Sequence, residues 1–348
     1  MIGLTLARSF QLFSEHQCEL SPLYRRLTAG VAADEAILRL AQPGEAGPKP
    51  NMLLAAVHYL LLKGLGGELA DWYPSVSGRP VPSGDPYPAF RAFCLAHGSA
   101  IRRLLETRRV QTNEVARCAI LLPAFAQVAA ARAGRPLGLV EVGTSAGLLL
   151  HFDRYSYTYS NGHRCGATPA SQVSLACTLR GESLPPLPAH LPAVAARVGL
   201  DLHPVDLSDP DEALWLQALV WPDQPERLER LRAAITVAAG ARPTLIAGDA
   251  LSTLGGALAS LPPDAVPVVF HCHTLNQFPE KALQRFHDLL AAESTVRELF
   301  HLSAESVRGE AHPYLTLSLY QAGRQMSQRV LARYQAHGKW LEWLNKEE

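Results

Sequence analysis

The spacing of apolar residues changes near residue 134 and divides the chain into two parts. In the first part apolar residues recur at three-to-four spacing, which predicts amphipathic or buried helices. Ser21-Pro22 is a helix start, with serine as the N-cap and proline at the first helical position. Further helices are predicted over 32–40, 52–62, 90–105 and 113–131. Residues 1–133 are therefore predicted to form a helical N-terminal domain.

From residue 134 onwards, short apolar runs alternate with helical stretches. Strands are predicted over 137–143, 200–205, 244–247, 266–270 and 296–302. Because strands that alternate with helices form parallel sheets with helices on both faces, a mainly parallel sheet is predicted. Near the end of the chain, alternation over 314–320, a turn at Ala322-Gly323 and a returning segment at 328–334 predict an antiparallel hairpin.

One segment interrupts this alternation of strands and helices. Tyrosines alternate with other residues over 155–159, apolar residues alternate over 173–179, and the two stretches flank Asn161-Gly162. Such a pattern predicts a β-ribbon inserted at about 155–190. A lid over a site and simple packing at a sheet edge both explain an insertion of this kind. The second predicted domain, with this insertion, spans 134–348.

Composition limits the classes of function that the chain can have. Of its 348 residues 48% are hydrophobic and 18% are charged, so the chain can bury a large core. Lysine plus arginine equals aspartate plus glutamate, 32 of each, which gives no reason to expect a nucleic-acid partner. No apolar run reaches the roughly 20 residues of a bilayer-spanning helix, so no membrane partner is expected. Six cysteines without a C-x-x-C pair, and the absence of a signal-peptide pattern, predict free thiols and a cytoplasmic protein.

The most informative motif is the glycine-containing segment that follows the first predicted strand. In Glu141-Val142-Gly143-Thr144-Ser145-Ala146-Gly147, the spacing E-x-G-x-x-x-G resembles the S-adenosylmethionine-binding loop of class I methyltransferases, with Ser145 in place of a middle glycine. Glycines let the backbone approach a ligand closely, and the acidic side chain can hold a cationic group. The resemblance implies that Glu141, Gly143, Ser145 and Gly147 bind S-adenosylmethionine.

The same residues also match G-x-S-x-G, the nucleophile elbow of α/β-hydrolases. In that alternative Ser145 is the nucleophile, and Asp249 with either His271 or His337 completes the triad. Context favours the methyltransferase, because a hydrolase elbow follows several strands whereas the segment before this turn is helical. A non-catalytic protein that keeps the methyltransferase fold is a third alternative.

The resemblance to methyltransferases implies two further carboxylates at strand ends. Asp206 follows the second predicted strand, where a carboxylate accepts hydrogen bonds from both ribose hydroxyls. Asp249 follows the third predicted strand, near the expected position of the adenine. A helix cap explains Asp206 without a ligand, and a turn residue explains Asp249.

Candidate acid–base groups come from two segments. The fourth predicted strand ends in His271 and His273, where the methyltransferase fold faces the transferred methyl group. His271 is the candidate general base, because a neutral imidazole accepts protons near neutral pH, and a hydrogen-bonded core histidine is the alternative. A metal pair of these two histidines has no visible third ligand, so no metal is predicted. Glu114, between Asn113 and Arg117 on a predicted helix, is the second catalytic candidate, with a helix cap and surface ion pair as the alternative.

The resemblance extends over nearly the whole chain. It includes Gln111–Arg117, Glu141–Leu148, Arg197–Asp206, Trp215–Pro222 and His337–Trp340. Through these stretches the chain is identified as a member of the bacterial family of uncharacterised proteins called domain of unknown function 2332. The glycine loop of that family is methyltransferase-like, and the resemblance implies no particular substrate.

Together these patterns predict an α/β protein. Its second domain is expected to hold a Rossmann-like class I methyltransferase sheet, mostly parallel, with an antiparallel C-terminal hairpin strand. We expect S-adenosylmethionine as the cofactor and a small-molecule substrate as the methyl acceptor.

Overall fold

The structure, a computed structural model, describes residues 5–43, 48–111, 113–166 and 172–344. The chain divides into two compact units, of which the first is Met1–Thr112 with Leu207–Arg232. The second unit is Asn113–Asp206 with Ala233–Glu348. The division therefore falls between residues 112 and 113, whereas the sequence predicts a domain boundary after residue 133.

The helices predicted over 32–40 and 52–62 are confirmed, but the one predicted over 90–105 is two helices divided at His97, and the one predicted over 113–131 becomes an α-helix only at Cys118. Twelve α-helices lie in the described ranges. They are α1 (Leu6–His16), α2 (Pro22–Ala32), α3 (Glu35–Ala41), α4 (Lys49–Leu62), α5 (Pro74–Ser77), α6 (Tyr87–Ala96), α7 (Gly98–Thr107), α8 (Cys118–Ala131), α9 (Pro210–Ala218), α10 (Pro225–Ala239), α11 (Ala250–Ala259) and α12 (Glu280–Glu293). Short 3-10 helices lie at Glu68–Trp72, Val115–Arg117, Leu148–Arg154 and Leu275–Gln277.

The described residues of the first unit form helices and connecting segments, with no strand among them. Ser21 caps α2 by accepting a hydrogen bond from the Tyr24 N–H (3.1 Å), and Pro22 is the first helical residue, as predicted. Helix α4 is buried around most of its circumference, in agreement with its nearly continuous apolar sequence. None of the helices in the described ranges combines the length and apolar character needed to span a bilayer.

The second unit contains all of the described strands in one sheet. They are β1 (Leu137–Val142), β2 (Ser156–Tyr159), β3 (Arg164–Gly166), β4 (Ser174–Arg180), β5 (Val194–Asp201), β6 (Thr244–Ala247), β7 (Val266–Cys272), β8 (Leu299–Glu305), β9 (Tyr314–Gln321), β10 (Arg324–Tyr334) and β11 (Trp340–Trp343). Their order is β3-β2-β4-β11-β10-β9-β8-β7-β1-β5-β6.

Five neighbouring strands, from β6 through β5, β1 and β7 to β8, run parallel. Strand β9 is antiparallel to β8, and it forms the predicted hairpin with β10. Both residues of the hairpin turn, Ala322 and Gly323, have positive φ (50° and 80°), which matches the right-handed twist of the strands. The α/β class with a large, mostly parallel sheet is therefore confirmed.

Helices cover both faces of the parallel strands. On one face apolar side chains of β1, β5 and β7 pack with α11 and α12. On the other face Phe125 of α8 meets Phe270 edge to face, with ring centroids 5.3 Å apart, which explains why α8 belongs to this unit. Since register partners share a face, Glu141 points with Phe270 towards α8, whereas His271 contacts Phe286 of α12.

Strand β5 lies earlier in the chain than the predicted strand at 200–205, because it begins at Val194 and ends at Asp201. Residues 202–205 of the predicted strand are not in a strand. They include Pro204, and proline has no N–H group to donate to a sheet ladder. Gly199 is accommodated inside β5 because the Thr144 and Leu245 side chains occupy the space beside it.

The predicted insertion at 155–190 contains three strands. Strands β2 and β3 are antiparallel, while β4 runs parallel to β2 and to β11. The two alternating stretches are therefore parallel neighbours instead of the two arms of one hairpin, since β3 takes the antiparallel position. Residues 167–171 of this insertion lie outside the described residues.

Candidate functional site

The succession of parallel strands reverses at β1. From β1 the sheet order continues to β5 and β6 on one side, and later strands β7 and β8 lie on the other side. At such a reversal the loops that follow the two adjacent strands lead away in opposite directions and leave a crevice between them. Open α/β sheets bind their ligands in this crevice. The segment Gly143–Gly147, called the glycine turn below, follows β1, and His273 follows β7.

Backbone hydrogen bonds attach the glycine turn to the end of β5. The N–H groups of Gly143 and Thr144 donate to the Leu200 carbonyl oxygen, at 2.8 and 3.2 Å. The Ser145 N–H donates to Asp201 Oδ2 at 2.8 Å. The turn and the acidic end of β5 therefore form one rigid unit.

Three residues of the glycine turn have left-handed backbone conformations: φ is 74° at Gly143, 51° at Ser145 and 72° at Gly147. A Cβ added to Gly143 would lie 2.9 Å from Thr274 Cβ, and one added to Gly147 would lie 2.9 Å from Pro243 Cγ. Both positions therefore need glycine for space as well as for conformation.

Glu141 is the penultimate residue of β1 and is 3% exposed. Its Oε2 accepts a hydrogen bond from Thr144 Oγ1 at 2.7 Å. Burial, with a smaller contribution from the charge of Asp201, raises the pKa of the Glu141 carboxyl to about 8, against the opposing effects of the Thr144 bond and the Arg117 charge. The side chain is therefore mostly protonated at neutral pH, and a bound cation would favour its ionised form.

This raised pKa predicts the pH dependence of a Glu141→Gln variant. Above the ordinary carboxyl pKa of 4.5 the unfolded chain loses the proton while the folded chain keeps it until pH 8, so wild-type stability falls over that interval. Glutamine retains an acceptor for Thr144 and does not titrate. We expect urea unfolding to show the variant gaining stability relative to wild type from pH 5 to pH 8. Glu280→Gln, at an exposed position, is the control, and an equal difference at every pH would contradict the assignment.

The carboxylate at the end of the second parallel strand is Asp201, and not the predicted Asp206. Asp201 accepts from the N–H groups of Ser145 and His203, each at 2.8 Å. Asp206 is exposed and lies five positions later, next to Val205, whose N–H donates to the Ser145 carbonyl (3.1 Å). Both carboxylates therefore belong to segments that contact the glycine turn.

Asp249 lies after β6, as predicted, and is exposed. Its Oδ1 accepts from the Leu251 N–H at 3.0 Å and caps α11. Asp249 therefore has the turn role that the sequence leaves open as the alternative to ligand binding. It follows the edge strand β6, which β5 separates from β1.

The Ser145 hydroxyl contacts an amide. Asn113 Nδ2 donates to Ser145 Oγ at 2.6 Å, and Asn113 Oδ1 accepts from the Ala146 N–H at 3.3 Å. His271, one of the two histidines in the hydrolase alternative, contacts helix α12 on the opposite face from Glu141. These contacts do not favour a triad of Ser145 with His271.

His271 is fully buried. Its Nδ1 lies 2.6 Å from Glu305 Oε1, and its Nε2 lies 2.9 Å from His301 Nε2. Both ring nitrogens have partners inside the protein, which matches the core-histidine alternative. A role for His271 as general base stays a prediction that these contacts do not favour.

His273, by contrast, leaves the strand at the site edge with a φ of 55°. Its Nε2 lies 3.2 Å from the hydroxyl of Tyr334, the last residue of β10. Burial, together with the nearby charge of Arg117, lowers the pKa of His273 to about 4, so the ring is neutral at pH 7. His271 and His273 therefore have different surroundings, although simple alternation would place them together.

Glu114 and His337 form a pair beside the glycine turn. Glu114 is buried, and its Oε1 accepts from the Ala116 N–H at 3.3 Å, which caps the 3-10 helix Val115–Arg117. Its Oε2 lies 3.5 Å from His337 Nδ1, and the His337 side chain is 37% exposed. Because the neighbouring Asn113 is bonded to the turn, the structure brings Glu114 to the site.

Sequence reasoning missed Asp201, Tyr334 and the partnership of Glu114 with His337. Asp201 had a signal, since it ends the apolar run Val198-Gly199-Leu200. Tyr334 had none, and His337 was a candidate only for the hydrolase triad, because only the pairing of β10 with β11 turns the C-terminal segment back towards residues 114–117.

No cluster of three or more potential metal ligands exists among the residues that the structure describes. A protein-family model described as "uncharacterized protein conserved in bacteria", domain of unknown function 2332, matches residues 7–343. No curated protein and no solved structure matches the chain significantly.

Proposed function

Because the chain belongs to the bacterial family of domain of unknown function 2332, we propose its function from the site that this fold builds: the protein is an S-adenosylmethionine-dependent methyltransferase acting on a small-molecule acceptor. One observation carries the proposal. The glycine turn follows the first described strand, at the reversal of strand order, and is hydrogen-bonded to a carboxylate at the end of the neighbouring strand. The proposal implies a Rossmann-like sheet of the class I methyltransferase type.

The residues present fit a nucleoside with a cationic amino-acid part. Within the glycine turn Gly143 is partly exposed and has no side chain, and Glu141 offers a buried carboxyl that a cation would ionise. Asp201 is the candidate for the ribose hydroxyls, with Asp206 as the alternative, because it ends the strand next to β1. Asp249 would lie on the adenine side, after β6.

The cofactor, when bound, supplies a methyl group activated by a sulfonium. The protein would align the acceptor with that group, an effect worth about 7–11 kcal/mol in well-oriented reactions, and would accept the proton that the acceptor loses. Glu114 and His337 are better placed for the proton than His271, because the imidazole of His337 is partly exposed and faces a buried carboxylate. These two side chains are 3.5 Å apart, a distance that commonly shortens when substrate binds.

Binding of S-adenosylhomocysteine, the expected product, tests the proposal. At about 100 times its dissociation constant it should stabilise the wild type by roughly 2.7 kcal/mol, which a rise in melting temperature would report. Asp201→Asn keeps an acceptor for the Ser145 N–H but loses its charge, so we expect affinity to fall about 10- to 100-fold by isothermal titration calorimetry. Asp206→Asn tests the alternative ribose ligand, and Asp288→Asn, at an exposed position of α12, is the control.

Each competing function gives a different result. Absence of binding at millimolar S-adenosylhomocysteine would contradict the methyltransferase proposal. Fluorophosphonate labelling that disappears in Ser145→Ala would instead support a serine hydrolase. A protein that shows neither result would fit the non-catalytic alternative.

A further inference from the structure

Arg117 is a buried cation at the carboxyl edge of the sheet. It ends the 3-10 helix Val115–Arg117 and is only 7% exposed. Its Nε donates to the Ala336 carbonyl oxygen at 2.8 Å. Gly338 packs closely on the same helix, because a Cβ there would lie 2.6 Å from the Ala116 carbonyl carbon. Two fixed backbone segments therefore determine where the guanidinium lies.

The positive charge of Arg117 acts on the ends of three strands. Its charge lowers the pKa of the thiol of Cys272, the last residue of β7, against the larger effect of burial. Its charge also acts on Glu141 near the end of β1 and on Tyr334 at the end of β10. Asn113 of the same segment is bonded to Ser145 and Ala146, so this segment carries Arg117 to the side of the glycine turn, at the reversal of strand order.

This charge has no counter-ion within the described ranges, where no carboxylate oxygen lies within 4.0 Å of an Arg117 nitrogen. Two other arginines of the same unit, Arg132 and Arg197, pair with Glu298 and Asp153. Glu141 does not supply the charge at neutral pH, because burial raises its pKa to about 8. Buried charges in proteins are normally paired, since each one loses its hydration.

We propose that Arg117 binds a carboxylate group of the ligand. A guanidinium presents several N–H donors in a planar fork that fits the two oxygens of a carboxylate, and the Nε contact to Ala336 fixes the plane of that fork. This inference rests on the proposed methyltransferase function, in which the carboxylate has two sources. It belongs either to the amino-acid part of the cofactor or to a carboxylate-bearing methyl acceptor.

The test compares two probes that differ by the amino-acid part. S-Adenosylhomocysteine carries the carboxylate, and 5′-methylthioadenosine has the same adenosine and thioether without it. If the cofactor supplies the group, Arg117→Met should weaken S-adenosylhomocysteine about 10- to 100-fold and leave 5′-methylthioadenosine unchanged in calorimetric titrations. Arg135→Met, at an exposed position, is the matched control. Arg117→Lys keeps the charge but not the planar fork, so its loss of affinity for S-adenosylhomocysteine should be intermediate. This variant replaces Arg117→Met if the methionine variant does not fold.

Acetate provides the second arm. If the acceptor supplies the carboxylate, Arg117→Met should leave both nucleosides unchanged, but acetate should raise the melting temperature of wild type saturated with S-adenosylhomocysteine and not that of the variant. If Arg117→Met weakens both nucleosides equally, or changes neither the nucleoside affinities nor the response to acetate, Arg117 does not bind a carboxylate. The methyltransferase proposal would stand in both cases. A wild type that binds neither nucleoside overturns the methyltransferase proposal. Acetate titration of the unliganded protein then decides on Arg117, since an equal response of wild type and variant would exclude the carboxylate site.

Discussion

Replacing Glu305 by alanine is expected to lower the free energy of unfolding by about 3–5 kcal/mol, the cost typical of removing one partner from a buried polar pair. Glu305 Oε1 accepts from His271 Nδ1 (2.6 Å) and from the N–H groups of Thr274 (2.8 Å) and Leu275 (3.0 Å). Its Oε2 accepts from the Asn276 N–H at 3.4 Å. Alanine would leave these donors without their acceptor, and each unsatisfied buried donor costs about 1–3 kcal/mol.

Acid should produce part of the same loss. Burial alone would raise the pKa of the Glu305 carboxyl, but the bond from His271 and the two backbone N–H donors bring it below the ordinary 4.5. Stability from this ionised group is therefore fully present above pH 4.5 and decreases as the pH falls through the lower folded pKa. Urea unfolding of Glu305→Ala at pH 7 and pH 4 should show a smaller difference from wild type at pH 4. As a control, Glu310→Ala at an exposed position should change the free energy of unfolding by less than about 0.5 kcal/mol. If Glu305→Ala loses as little as this control, Glu305 does not stabilise the fold through the four contacts above.

Local sequence signals were sufficient where an element depends on its own residues. A short apolar run located β6, period-two alternation located the C-terminal hairpin, and Ser21-Pro22 located the start of α2. The predicted bounds of β5 were too late because they left out Gly199 and the residues before it, and the space beside this glycine is occupied by the Thr144 and Leu245 side chains. No local pattern reports such a filled space, since the residues that fill it are distant in the chain.

The candidate site shows the same limit more strongly. The glycine turn was visible as a motif, and so was Glu114 as a candidate acid. The burial of His271 between Glu305 and His301 depends on the register of β7 with β8, which alternation within one strand does not determine. Polar residues at strand ends can therefore be proposed from sequence, but their neighbours follow from the order of strands.

Gly143→Ala is expected to destabilise the protein by about 2–5 kcal/mol, from two separable causes. The left-handed φ of 74° costs a non-glycine residue about 1–2 kcal/mol. The added methyl carbon would also lie only 2.9 Å from Thr274 Cβ and would overlap that side chain. Overpacking of this kind adds about 1–3 kcal/mol. The free energy of unfolding in urea measures the sum.

Gly134→Ala separates these causes, because Gly134 has nearly the same φ, 73°, and a methyl group added there would have nothing within 4 Å of it. It should lose only the conformational part, about 1–2 kcal/mol. Adding Thr274→Gly to Gly143→Ala removes the overlapping atoms, so the double-mutant cycle should show a favourable coupling of about 1–3 kcal/mol. If Gly143→Ala and Gly134→Ala lose the same free energy and the cycle shows no coupling, then Thr274 does not pack against the glycine turn. The loops after β1 and β7 would then not meet at the edge where we place the ligand.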